Sequence, residues 1–190
     1  MQRTMRDGNR ASDVIVRLRA LFNKKGSPSE RVDLNEATRE VIALSFEDIR
    51  KSQVIVRTEL ADDLEYVAAD RVQLQQVVLN LIRNALDAMN TVDDRPRDLL
   101  IRTEPVESDS VRLSVKDAGV GFDPQTMKKL FEAFYSTKSG GMGVGLCVSR
   151  SIIENHRGQL WAALNEGPGA TFSFSVPCWN RANVQSRAVG

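Results

Sequence analysis

Residues 136–150 read STKSGGMGVGLCVSR, with glycine at 140, 141, 143 and 145 and an apolar run, Leu146-Cys147-Val148, directly behind. Glycine loses more conformational freedom on ordering than any other residue, so four within six positions need a reason. Two readings compete: a slack linker, or a loop that brings its backbone up to an anion at a helix start. The first N–H groups of a helix lack intrahelical partners and its dipole favours negative charge there. Lys138, just upstream, adds a point charge to a phosphate or is a surface lysine. Patterned sequence resumes on both sides, which disfavours the linker.

Downstream, a helix is expected from Val144 to Asn155, then a hairpin of GQLWAALNE (158–166) and ATFSFSVP (170–177). Upstream, residues 124–143 show no strand pattern. One short helix is expected from Gln125 to Phe134, and a stretch of about 20 residues with so little regular structure is usually functional, often a lid. Before it, LLIRTEP (99–105) and VRLSVKD (111–117) alternate as a second hairpin. A long helix is predicted from Arg71 to Met89, its apolar stripe running through Leu74, Val77, Val78, Leu81, Ile82, Ala85 and Leu86. QVIVRTEL and EYVAA read as short strands. A helix over DLNEATREVIALSFEDIRK (33–51) takes Asp33 as its cap, with Glu36 in the capping-box position. Residues 8–24 repeat Ala11, Val14, Ile15, Leu18, Leu21 and Phe22 at helical spacing, and NKKGSPSE links that helix to the rest. Helices alternating with two hairpins predict an α+β fold, a two-layer sandwich with helices on one face of a mostly antiparallel sheet. The tail after Pro177 is polar and expected to be loose.

Three stretches carry chemistry. In LNLIRNALDA (79–88), Asn80, Asn84 and Asp87 share one helix face opposite the apolar stripe. Their oxygens are hard ligands suited to Mg²⁺, or they form a solvated polar face. In KDAGVGFDP (116–124), a strand ends at Asp117 and Gly119 and Gly121 follow. A carboxylate there accepts a hydrogen bond from an exocyclic amine such as adenine's, and the glycines admit a flat ring; alternatively this is an ordinary turn. The glycine cluster is the third stretch. A nicotinamide-binding reading of GMGVGL fails on context, because that fingerprint follows a strand early in a parallel βαβ unit.

Taken together and in this order, the three stretches resemble the ATP-binding catalytic domain of sensor histidine kinases, within the superfamily that includes gyrase B, the Hsp90 chaperones and MutL. NLIRNALDA resembles the N box, DAGVGF the first glycine box, FEAFYSTK the F box, GMGVGL the second glycine box, and GPGATFSFSVP the closing strand. The resemblance covers about residues 33–177, and GNRASDVIVRLRALFNKK (8–25) looks like the second helix of the kinases' dimerisation bundle. It implies a Bergerat-type fold over residues 31–178, preceded by a partial dimerisation helix and linker (1–30) and followed by a disordered tail (179–190).

The resemblance also implies roles. Asn84 would coordinate the Mg²⁺ that bridges the ATP phosphates, and Asp117 would bond the adenine amine, with Gly119 and Gly121 shaping that pocket. Gly141, Gly143, Gly145 and Leu146 would belong to the end of an ATP lid, with Lys138 at the phosphates. Phe131 and Phe134 would anchor the lid, and Thr171 would support the adenine pocket. Asp87 would reach the nucleotide through water or remain a surface carboxylate. The ATPase branches carry a glutamate at the place of Asn80. An amide cannot act as a general base, and losing such a base commonly costs about 10²–10⁴-fold. A kinase is served by that loss, since water competes for the γ-phosphate. The implied partners are a histidine-bearing dimerisation domain, a response regulator receiver domain and a second copy through residues 8–24. The alternatives are an ATPase or serine-kinase switch module of the superfamily, and a degenerate nucleotide sensor.

The chain's one histidine, His156, lies in ENHRGQ at the end of a predicted helix. It lacks the setting of a phosphoacceptor and is expected to be structural, so the chain is expected to be a fragment or to act on a partner. A net charge of +1 gives no broad electrostatic case for nucleic acid or an anionic membrane. Cys147 and Cys178 lack metal-ligand spacing and are expected to be reduced thiols of a cytoplasmic domain, whose parent is soluble or membrane-anchored. No apolar stretch approaches the roughly 18 residues of a membrane span.

Overall fold

The computed structural model describes residues 30–106, 109–135 and 143–179. The expected helix over 8–24, its linker up to residue 29, and the tail from 180 lie outside them. Five strands, β2 (Ile55–Leu60), β4 (Asp98–Val106), β5 (Ser110–Asp117), β6 (Gln159–Leu164) and β7 (Ala170–Pro177), form one sheet in the order β2-β4-β5-β7-β6. All its neighbours run antiparallel except β2 and β4, which are parallel. Two short strands, β1 (Glu30–Val32) and β3 (Val67–Ala69), pair separately. Strand β1 was not expected: it begins on the last residue of the stretch read as linker and runs into residues given no element. Three residues are too few for a period to show, and Arg31 instead lies over the Tyr66 ring at 3.6 Å.

The sheet has one dry face because its alternation is strict. Leu99, Ile101, Val111, Leu113, Val115, Phe174 and Val176 all point inward and are buried. Register places Leu113 against Phe174 and Val111 against Val176. The opposite face carries the Arg112–Glu104 ion pair at 2.7 Å and the Ser114–Ser173 hydroxyl pair at 2.9 Å. The inner face is covered by α3 (Arg71–Met89), which packs on β5, and α4 (Gly145–Asn155), which packs on β6 and β7. Helix α1 (Leu34–Leu44) packs on α3 in turn. The two-layer α+β arrangement is therefore the one expected.

The bounds of α3 match the predicted stripe, and Asp70 caps it by accepting from the Gln73 N–H at 3.0 Å. Asp33 caps α1 in the same way, while Glu36 turns its carboxylate to Arg71 at 3.1 Å. The single helix expected over 33–51 is two. Ser45 bonds back to the Val41 carbonyl with both N–H and hydroxyl, ends α1, and starts α2 (Phe46–Lys51). The α-helix expected from Gln125 to Phe134 is replaced by a 3₁₀ helix, Pro124–Lys129, and irregular turns. An isolated helix of that length is marginal without packing. Phe134 adopts φ 66°, which bends the chain toward Gly143, where its N–H meets the glycine carbonyl at 3.0 Å.

Candidate functional site

The site is built along one face of α3. Midway along α3, the Asn80 amide donates to the Ser149 hydroxyl of α4 at 3.0 Å. Gly145, the first residue of α4, lies so close that a Cβ there would run into the Asn80 carboxamide. Eight residues on, about 12 Å along the axis, the Ala88 carbonyl accepts from the Val120 N–H at 3.1 Å. A Cβ on Gly119 would sit 2.7 Å from that same carbonyl oxygen. Asn84, half-buried, stands one turn from each. The carboxamide helix thus runs from the start of α4 to the turn that follows Asp117.

Asp117 ends β5 and is 3% exposed. Its Oδ1 accepts from the Gly119 N–H at 2.8 Å and from the Ala170 N–H at 3.4 Å. The turn closes over the carboxylate because position 119 has no room for a side chain: the hypothetical Cβ also meets Asp117 Oδ1 at 2.7 Å. Gly121 continues the turn at φ +68°. On the β7 side, the Thr171 hydroxyl donates to Asn165 Oδ1 at 2.7 Å. The Asn165 amide donates onward to the Asp117 carbonyl at 2.9 Å. Thr171 therefore acts on Asp117 through Asn165, a residue the sequence reading passed over in the β6–β7 turn.

Helix α4, like the short α2, starts without a side-chain cap. Aspartates cap α1, α3 and the 3₁₀ helix, whereas Val144 precedes α4 and offers no side-chain cap. The first N–H groups of any helix lack intrahelical partners, and such ends form anion sites. Gly143 takes φ +63°, and a Cβ there would lie 2.6 Å from backbone carbons of Phe134 and Tyr135. The bond from Phe134 to Gly143 therefore draws together the two ends of the stretch 136–142. Lys138 and Gly141 belong to that stretch and lie outside the described residues.

The remaining predicted residues divide. Leu146 and Phe131 are partly buried against the core, and the Arg150 guanidinium lies 5.8 Å from the Phe131 ring centre. Phe134 is 79% exposed, and Asp87 is on the surface. His156 has a structural setting: Nε2 accepts from the Asp70 N–H at 2.9 Å and the Nδ1 side faces the Ile152 carbonyl at 2.7 Å. Burial pushes the Cys147 thiol up from its ordinary range, which keeps it protonated and poorly nucleophilic at neutral pH. Among the described residues no group of three or more His, Cys, Asp or Glu side chains could hold a metal ion. No helix among them is long and apolar enough to cross a membrane.

A family model described as histidine kinase-, DNA gyrase B- and HSP90-like ATPase matches residues 69–180. The sensor protein FixL of Bradyrhizobium diazoefficiens is 41% identical over 178 residues, 93% of this chain and 35% of its own length. The sensor histidine kinase TmoS of Ectopseudomonas mendocina is 32% identical, over 93% of this chain and 18% of its own. The chain thus spans about a third or less of these relatives. Among solved structures, the nucleotide-free catalytic domain of histidine kinase ThkA superposes with a TM-score of 0.70 at 33% identity, covering 80% of this chain and 97% of that one.

Proposed function

Because the chain belongs to the histidine kinase-, DNA gyrase B- and HSP90-like ATPase family, with the catalytic domain of a sensor histidine kinase, we propose that it binds Mg-ATP and donates the γ-phosphoryl group to a histidine on a separate dimerisation domain. The observation that carries the reading is the arrangement along α3. A buried carboxylate on a glycine turn lies at one end, an uncapped helix start at the other, and a carboxamide between them. Those ends suit a purine base and an anionic tail respectively.

Within this site Asp117 accepts from the purine amine, and Gly119 and Gly121 keep the turn flat against α3. The first N–H groups of α4 and the backbone at Gly143 receive phosphate oxygens, aided by Lys138 and Gly141. Asn84 offers one hard oxygen, enough for Mg²⁺ only when phosphate oxygens and water complete its shell. When bound, that ion neutralises charge on the phosphates. Asn80 is already committed as a donor to Ser149 and holds α4 against α3. It has no basic group with which to activate water, which favours transfer over hydrolysis.

Phosphoryl transfer needs mostly positioning and charge neutralisation. A neutral imidazole nitrogen on the partner attacks the γ-phosphorus, the bond to the β–γ bridging oxygen breaks, and ADP departs. His156 is unsuited to be that nucleophile, since both ring nitrogens face backbone partners. The response regulator follows downstream; ThkA has been solved in complex with response regulator protein TrrA, at 28% identity to this chain. The test is to incubate the chain with γ-labelled ATP, alone and with a histidine-bearing dimerisation domain. Acid-labile label on the added domain and none on the chain is expected. Phosphate release without transfer would instead identify an ATPase, and binding without either would identify a sensor.

A further inference from the structure

The loop between α3 and β4 reads in sequence as a plain polar connection, yet it holds the base-binding turn from outside. Arg95 donates from Nε to the Ala118 carbonyl at 3.1 Å and from Nη2 to the Gly119 carbonyl at 2.9 Å. These two carbonyls belong to the peptide units whose N–H ends are those of Gly119 and Val120. The Gly119 N–H donates to Asp117 Oδ1, and the Val120 N–H to Ala88. Each peptide plane is therefore fixed at both ends, by Arg95 on one side and by Asp117 or α3 on the other.

A planar guanidinium is suited to this task, because its donors are set in a rigid fork that spans two acceptors. The loop that carries Arg95 is itself braced. Arg97 reaches the Val92 carbonyl at 2.8 Å, the Ser52 carbonyl at 2.9 Å and Asp93 at 2.9 Å. Arg95 also pairs with Asp94 at 3.0 Å. The fork is thus held in place before any ligand arrives.

We propose that Arg95 is a positioning residue for base recognition: it aims the Asp117 carboxylate by locking the two peptide planes that follow it, and so sets selectivity for purines with an exocyclic amine. The inference rests on the Mg-ATP reading above. It concerns the base end of the site, more than two helical turns from the start of α4.

The experiment compares ATP with inosine triphosphate, which has the same phosphates but lacks the amine, by calorimetric titration in Mg²⁺. The chain is used as it stands, with Arg95→Met and Arg95→Lys variants. Methionine keeps much of the length and removes the donors; lysine restores the charge without the fork. Wild type is expected to favour ATP. In Arg95→Met, ATP affinity should fall about tenfold, the scale of lost charge-assisted hydrogen bonds, while inosine triphosphate affinity changes less than about twofold. Arg95→Lys should recover only part of the preference, and it also serves if the methionine variant does not fold. Loss of charge or of stability would weaken both ligands alike, so an unchanged ATP-to-inosine ratio in either variant overturns the proposal. The wild-type titrations test the reading beneath it separately: no ATP binding, or equal binding of the two, removes base recognition at Asp117 and this inference with it.

Discussion

Asp117 owes its burial to neighbours that leave it no alternative. Its backbone carbonyl is taken by Asn165, its Oδ1 by Gly119, and the turn beyond it by Ala88. A methyl group at position 119 would meet both the Ala88 backbone carbonyl, which cannot swing away, and the Asp117 carboxylate itself. Gly119→Ala should therefore lower the thermal midpoint by an amount equivalent to about 1–3 kcal/mol, the scale of overpacking, and weaken ATP binding in the same titration. Retained stability and affinity would mean that the turn is looser than its hydrogen bonds imply. At this scale Asp117 and the glycines were legible in the sequence, because residue type and spacing carry their chemistry. Asn165 and Arg95 were not. Each acts through a backbone carbonyl distant in sequence, and such a contact leaves no periodic trace.

At the scale of elements, α3 and α4 do different work. Helix α3 is fixed by its apolar stripe and by Asp70, and its polar face carries the proposed site. Helix α4 has no side-chain cap, and we read that omission as room for phosphate. Val144→Asp should test it, since a carboxylate at that point repels the triphosphate. ATP affinity should fall at least about tenfold at low salt, and the difference from wild type should shrink as added salt shortens the Debye length and screens the repulsion. An affinity insensitive to both the substitution and salt would place the phosphates elsewhere. The long helix and both hairpins were legible because their periods repeat several times. Strand β1 was lost because three residues show no period. The division at Ser45 depends on a hydroxyl choosing a carbonyl one turn back, and the end of the expected 125–134 helix is lost where Phe134 turns toward Gly143. Local composition allows a continuous helix in both places.

For the molecule as a whole, the small β1–β3 ribbon is joined to the main sheet near Cys178. Cys178 bridges to Val67, its N–H meets the Asp109 carbonyl at 2.7 Å, and Trp179 follows with a bond to Tyr66 at 2.6 Å. Burial first, then the nearby Glu65 and Asp109 carboxylates, push the Cys178 thiol up to about 11 from 9.0. The folded chain thus holds this proton more tightly than the unfolded one. Its contribution to stability is complete below pH 9.0 and is lost as pH rises through about 11. Urea melts across that window should show a steeper decline for wild type than for Cys178→Ala; parallel declines would show the thiol to be uncoupled from folding. Other groups titrate in this range too, so the difference between the two proteins is the informative quantity.

The account as a whole stands on Asp117 as the purine acceptor, and calorimetric titration of ATP in Mg²⁺ against wild type and Asp117→Asn tests it most directly. Asparagine keeps an oxygen for the Gly119 N–H, so the turn and the melting temperature should survive. Its other atom is a donor facing the amine, and ATP affinity should fall by about 10- to 100-fold, the range for a lost hydrogen bond to a charged group. Equal affinity in the two proteins would contradict the assignment of the base to this end of the site.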